Sequence, residues 1–140
     1  MDTNKITITT VVHATVTKAW DYWTSPTHIV KWNNASEDWH TTRAENDLQV
    51  GGKFLSRMEA KDGSFGFDFD GIYDEVVLNK HIAYTICDGR KVIIDFEETD
   101  GQTKITETFE AENINSIEQQ KLGWQNILDN FKKYTEDNEK

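Results

Sequence analysis

At 140 residues, with 36% hydrophobic and 29% charged side chains, the chain can bury one substantial core and is read as a single domain over residues 1–140. Its formal net charge of -10, with no basic cluster to offset it, argues against nucleic acid and anionic membranes as partners. No apolar run is long enough to span a membrane, MDTNKITITT lacks the apolar core of a signal peptide, and the lone Cys87 has no intramolecular partner, so a cytoplasmic setting is expected.

The first element is Lys5–His13, KITITTVVH, β-branched and largely alternating, which predicts a strand with Ile6, Ile8 and Val12 on one face. Thr17 is placed as the N-cap of a short helix, KAWDYWT, that carries Trp20 and Trp23 at i, i+3. Ser25-Pro26 restarts a second short helix, serine as N-cap and proline at the first helical position, running to about Trp32. A polar loop and a short strand around Trp39–Ala44 lead to the Gly51-Gly52 turn.

From there the chain reads as a meander. Lys53–Ala60 sets Phe54, Ser56, Met58 and Ala60 on one face, and Lys61-Asp62-Gly63-Ser64 turns. Phe65, Phe67, Phe69, Gly71 and Tyr73 alternate with Gly66, Asp68, Asp70 and Ile72, in a long run to Leu78 whose glycines predict a bend or bulge. Turns at Asn79-Lys80, Asp88-Gly89 and Asp100-Gly101 separate three further alternating runs, the last carrying Thr103, Ile105, Glu107 and Phe109.

The one long helix is Ser116–Tyr134. Ser116 and Gln119 have capping-box spacing, and the helix spans roughly 27 Å. Ile117, Gln120, Trp124, Ile127, Leu128 and Phe131 share a stripe, with Tyr134 at its edge and a frayed polar tail, TEDNEK, beyond. Gly123 breaks the helix composition at a cost of about 1 kcal/mol relative to alanine and is read either as a neutral substitution or, in preference, as a sign of close approach of a backbone or bulky ring. Gln120 is either partly exposed near the helix start or a hydrogen-bonding group facing a cavity.

An antiparallel sheet of about six or seven strands, apolar on one face, must bury that face against the single long helix. The predicted fold is therefore α+β: a curved antiparallel sheet wrapped around a C-terminal helix, with two short helices after the first strand. A bent sheet around a rod leaves space where the two do not touch, and a cavity is expected there.

This order of elements resembles the helix-grip fold of the START/Bet v 1-like superfamily (SRPBCC). The local phrases look more specifically like the activator of Hsp90 ATPase homologue 1-like (AHSA1-like) family: Ala19-Trp20, the Pro26 to Trp32 stretch, Asp47-Leu48-Gln49-Val50-Gly51-Gly52-Lys53-Phe54, Gly71-Ile72-Tyr73 with Val76, and Gly123-Trp124. The resemblance runs from about Ile6 to Tyr134 and implies a stand-alone prokaryotic member, without the companion domain of the eukaryotic co-chaperone. It implies hydrophobic ligand binding in the pocket, a chaperone-linked role in the stress response, or, as in some superfamily members, catalysis.

Trp124 points into the core by periodicity. Trp32 and Trp39 either plug one end of that core or gate the pocket mouth. Alternation puts Glu107 on the apolar face with no obvious partner, unless a bulge or the open rim turns it outward. If it faces inward, it is a ligand-orienting group or a weak candidate for a general acid/base. Phe67, Tyr73, Tyr84, Gln120 and Ile127 complete the expected lining with Trp32, Trp39, Glu107 and Trp124.

Asp68 and Asp70 belong to a solvated outer face, and His13, His28, His40 and His81 stand singly, though His28 and His40 bracket the Trp32 loop. The sequence contains no HExxH, CxxC, GxSxG, Walker or dinucleotide motif, so no metal and no cofactor are expected. The leading expectation is a monomer or weak homodimer that binds a small, mostly hydrophobic molecule without obligate catalysis. The alternatives are a chaperone-binding interaction module and a cavity enzyme using Glu107.

Overall fold

The structure, a computed structural model, describes residues 5–34, 36–113 and 115–137. The element order is β1 (Lys5–Val12), α1 (Val16–Thr24), α2 (Pro26–Trp32), β2 (Trp39–Asn46), β3 (Lys53–Ala60), β4 (Gly66–Val77), β5 (His81–Ile86), β6 (Lys91–Thr99), β7 (Gln102–Glu110) and α3 (Ile117–Asp137). The seven strands form one antiparallel sheet in the order β1-β7-β6-β5-β4-β3-β2. It is a continuous meander from β2 to β7, with β1 added beside β7. The α+β helix-grip arrangement expected from the sequence is the one observed.

Local chemistry accounts for the turns. Asp100 and Gly101 both adopt positive φ, 53° and 78°, the backbone twist a two-residue hairpin needs. Asn79 supplies the same left-handed conformation before β5, where asparagine tolerates it. The bend predicted along the Phe65–Leu78 run is a register shift in β4 between Tyr73 and Glu75, and a second shift in β2 lies between Thr41 and Arg43. Gly71 allows Phe54 to lie across β4, because a Cβ there would stand 2.8 Å from the Phe54 ring and 2.5 Å from the Thr85 carbonyl oxygen.

Helix α3 has the capping box read from the sequence. The Gln119 amide donates to Ser116 Oγ at 3.1 Å, and the Ser116 amide donates to Gln119 Oε1 at 3.4 Å. The inward stripe differs at both ends. Ile117 is exposed, whereas Thr135, assigned to the polar tail, is fully buried in a helix that continues to Asp137. The remainder of that tail, Asn138–Lys140, and Met1–Asn4 at the other end lie outside the described residues.

The first short helix is capped by Thr15 rather than Thr17, with Oγ1 accepting from the Lys18 amide, and it begins at Val16. Ser25 holds the N-cap position of α2, but its hydroxyl donates to Asp21 instead of capping. His28 stacks on Tyr22 and hydrogen-bonds Tyr134 Oη at 2.7 Å, so its partners are these rings and not His40.

The placement of α3 determines where space remains. Its backbone runs closest to β1 and next to α1 and α2, the latter packed on β2. Lys132 Nζ donates to the Val11 carbonyl at 2.7 Å on the β1 side, and Asn130 Nδ2 donates to the Asn34 carbonyl at 2.6 Å on the α2 side. The rod is thus anchored at the β1 edge and reaches the opposite edge of the sheet through α2. Over the middle strands, side chains rather than backbone must fill the gap.

Candidate functional site

They fill it only in part. A cavity of about 430 Å³ lies between the concave face of the sheet and helices α1, α2 and α3, within the usual range for small-molecule pockets. Its walls come from nearly every element. α1 and α2 contribute Trp23, Ile29 and Trp32; β3 contributes Phe54, Ser56 and Met58; α3 contributes Gly123, Trp124 and Ile127.

Eight of the nine residues singled out from the sequence meet on this cavity: Trp32, Trp39, Phe67, Tyr73, Tyr84, Glu107, Trp124 and Ile127. Trp32 is buried, its indole N–H donating to the Tyr22 carbonyl at 2.9 Å, and its ring sits against Trp23 and Phe131 with centroids 5.0 Å from each. Trp39 is half-buried and belongs to an outer aromatic group with Phe65 and Phe67, centroids 6.0 and 5.9 Å away. Phe65 and Phe67 are exposed, which places this group at the rim.

Gln120, the ninth, is buried but does not line the cavity. Its Oε1 accepts from the Glu112 amide at 2.8 Å, and its Nε2 donates to the Glu112 and Asn115 carbonyls at 3.1 and 2.8 Å. It serves the connection from β7 to α3, whose backbone groups need partners, and both of its amide donors are used there. Gly123 also departs from expectation. Nothing lies within 4 Å of where its Cβ would be, so no backbone or ring approaches it; it opens onto the cavity.

Several lining residues were not predicted. Trp23 could have been anticipated from its i, i+3 pairing with Trp20, and Phe54 and Met58 from their shared face. Asn33, Asn46 and Arg90 gave no periodic signal, because they sit at strand ends, helix ends and turns.

Glu107 is the unusual polar residue. The β1–β7 and β6–β7 registers run unbroken through it, with Ile8 and Ile94 opposite, so no bulge turns it outward. It is only 5% exposed, and burial alone pushes its carboxyl up to about 8, with no described hydrogen bond or charge opposing the shift. Tyr84, also buried, is held well above the ordinary phenol value by burial, then by the Glu107 charge and Tyr73. Tyr73 differs in having a partner: its hydroxyl donates to Asn46 Oδ1 at 2.5 Å, while Asn46 Nδ2 donates to the Thr24 carbonyl at 2.6 Å.

Among the described residues, no three His, Cys, Asp or Glu side chains group as a metal site. No helix of the described residues is long and apolar enough to cross a membrane. Cys87 is exposed, and its thiol is pushed up by burial and by Asp70, the opposite of what a reactive thiolate requires.

A concave antiparallel sheet gripping one long C-terminal helix beside an apolar hollow defines a helix-grip protein, a fold compatible with holding a small ligand. The family described as Activator of Hsp90 ATPase homolog 1-like protein matches residues 13–136, and the chain belongs to that family. It is similar to an AHSA1-like protein from Aeromonas hydrophila, 44% identical over 96% of this chain and 93% of that one, with a TM-score of 0.90. A protein from Cytophaga hutchinsonii is 52% identical over 96% of this chain and 93% of its own, with a TM-score of 0.83. A Chromobacterium violaceum protein shares the fold at 22% identity, with a TM-score of 0.85 over 95% of this chain and 98% of that one. No curated protein matches the chain.

Proposed function

We propose that this protein binds a small, mostly apolar molecule in the cavity between the sheet and α3, with no obligate chemistry. The observation that carries the reading is the 430 Å³ hollow itself, left open in a domain otherwise packed around Phe109, Phe131 and Leu128. Close packing is the rule inside proteins, and a void of this size forfeits contacts that a sequence could have supplied with larger side chains. Burial of apolar ligand surface at roughly 25 cal/mol per Å² provides the affinity. Glu107 orients the ligand.

The test is a thermal-shift screen of lipids, aromatic polyketides and flavonoids against the wild-type protein and Gly123→Leu. Ligands that bind the native state raise its melting temperature. The reading requires that a subset do so with the wild type and fail with Gly123→Leu, whose side chain enters the cavity. Equal shifts in both proteins, or none in the wild type, overturn it. Glu107→Gln then separates binding from catalysis, since an enzyme using this carboxyl would lose turnover with any ligand it transforms.

A second reading is favoured by the rim. The family description names activation of Hsp90 ATPase, and Phe65 and Phe67 present exposed aromatic surface beside Trp39. An interaction module would use that surface together with the acidic exterior. Stimulation of a bacterial Hsp90 ATPase that is lost in Phe65→Ser supports it; no stimulation removes it.

A further inference from the structure

The binding reading above leaves the ligand's polar chemistry open, and the polar atoms of the cavity narrow it. The cavity's buried and half-buried hydroxyl, carboxyl, amide and guanidinium groups fall into two sets. Tyr73 is tied to Asn46, Asn33 Nδ2 donates to Ser56 Oγ at 3.2 Å, and Arg90 Nε is paired with Asp88 Oδ2 at 2.8 Å. The Glu107 carboxyl and the Tyr84 hydroxyl form the second set. Both belong to buried residues on the cavity wall, and neither has a hydrogen-bond partner among the forces acting on it from the described residues.

The two are neighbours on the concave face. Ile82, Ile94 and Glu107 form one cross-strand row, and Tyr84, Val92 and Phe109 form the adjacent one. Strand and residue spacings therefore set their Cα atoms roughly 10–12 Å apart, with both side chains rising into the same hollow.

We propose that Glu107 and Tyr84 together receive the carbonyl end of an otherwise apolar, aromatic-sized ligand, both acting as hydrogen-bond donors. A carbonyl oxygen has two acceptor sites and no donor, so it satisfies a phenol and a protonated carboxyl at once. An organic ammonium offers only donors and leaves the Tyr84 proton without an acceptor. It also requires an ionised Glu107 in an apolar cavity, where burial opposes the charge. A hydrocarbon leaves both groups desolvated and unpaired, an arrangement that costs free energy for each group.

Protonation of Glu107 sets the pH range. The other titratable groups lining the cavity are Glu45 on β2, exposed; Tyr73 on β4 and Tyr84 on β5, both neutral; and Arg90 in the turn before β6, paired with Asp88. β3, α1, α2 and α3 present no titratable side chain to the cavity, and Ile8 and Ile94 flank Glu107 on the neighbouring strands. Glu107 is therefore the group whose ionisation between neutral and alkaline pH removes a donor.

The experiment compares naphthalene, 2-acetylnaphthalene and 2-naphthylmethylammonium by tryptophan-fluorescence titration at pH 6.5 and 9.5. At pH 6.5 the ketone should bind the wild type about 10-fold tighter than naphthalene, the equivalent of about 1.4 kcal/mol in hydrogen bonding. That preference should shrink at pH 9.5, persist at both pH values in Glu107→Gln, whose amide still donates, and fall in Tyr84→Phe. Glu107→Leu, which buries no polar group, should keep naphthalene binding and reduce the ketone preference at both pH values. Equal binding of ketone and naphthalene, tighter binding of the ammonium, or an unchanged pH effect in Glu107→Gln overturns the proposal. Binding by none of the three probes overturns the cavity reading as well, so the two failures are distinct.

Discussion

Trp124 lies flat on Phe109, the ring centroids 3.9 Å apart and the planes within 10° of parallel. This stack joins α3 to β7 two residues along the strand from Glu107, and the Phe69 ring stands nearly perpendicular to Trp124 with centroids 6.1 Å apart. One residue therefore fixes the helix to the sheet and forms part of the cavity wall. Trp124→Ala should destabilise the fold by about 3 kcal/mol in urea unfolding, the range for removing a large packed aromatic. Trp124→Phe, which retains a ring on Phe109, should cost less than half as much.

Gly123 gives a prediction of opposite sign. Its would-be Cβ meets no atom within 4 Å, so the space denied to a larger residue is not occupied by the protein. Gly123→Ala should stabilise the helix by about 0.5–1 kcal/mol through propensity and unfolded-state entropy. The same methyl enters the cavity and should weaken ligand binding. Chemical denaturation and a binding titration on one preparation check both halves.

The pH dependence of stability has a defined direction. Glu107 ionises near its ordinary 4.5 when unfolded and at about 8 when folded. Between those values the folded chain retains a proton that the unfolded chain has released, so stability falls as pH rises and levels off above the folded value. The loss is on the order of 5 kcal/mol. Glu107→Gln should remove most of this slope in urea melts at pH 5, 6.5 and 9.

His81 adds a smaller contribution of the same sign. Asp95 at 2.6 Å and then Glu75 at 3.1 Å raise its imidazole value, so its contribution is full below the unfolded value and is lost as pH rises through the folded one. The slope that survives in Glu107→Gln should disappear in Glu107→Gln/His81→Ala.

Thr135 Oγ1, fully shut off from solvent and away from the cavity, has no hydrogen-bond partner among the described residues. Replacing it with valine keeps the volume and removes an unsatisfied hydroxyl. Thr135→Val should raise stability by about 1 kcal/mol, whereas Thr135→Ala should lower it by leaving a void.

Periodic features of the chain were the legible ones. Alternation placed Ile105, Glu107 and Phe109 on one face, and because β7 pairs without a bulge, the alternation reached the structure intact. Helical spacing placed Leu128 and Phe131 inward, and α3 runs as one continuous helix through both. Periodicity failed where a local hydrogen bond outweighed the stripe. Gln120 turned to the orphaned backbone groups of the β7–α3 connection, and Thr15 rather than Thr17 accepts from the Lys18 amide in the first turn of α1. Gly123 was misread because a glycine in sequence shows only that no side chain is present. Whether a ring or a hollow uses that space depends on strands some fifty to seventy residues away, such as β4 and β3, that no local pattern describes.

The measurement that tests the central claim most directly is a methyl NMR titration of the protein with 2-acetylnaphthalene. Met58, Ile82 and Ile127 line the cavity, whereas Ile6 and Val12 lie in the closed core beside it. The account predicts saturable shifts at the first three methyl groups, with Ile6 and Val12 unmoved. Shifts confined to exposed sites such as Val50 and Leu78, or no saturable shift at all, would contradict it.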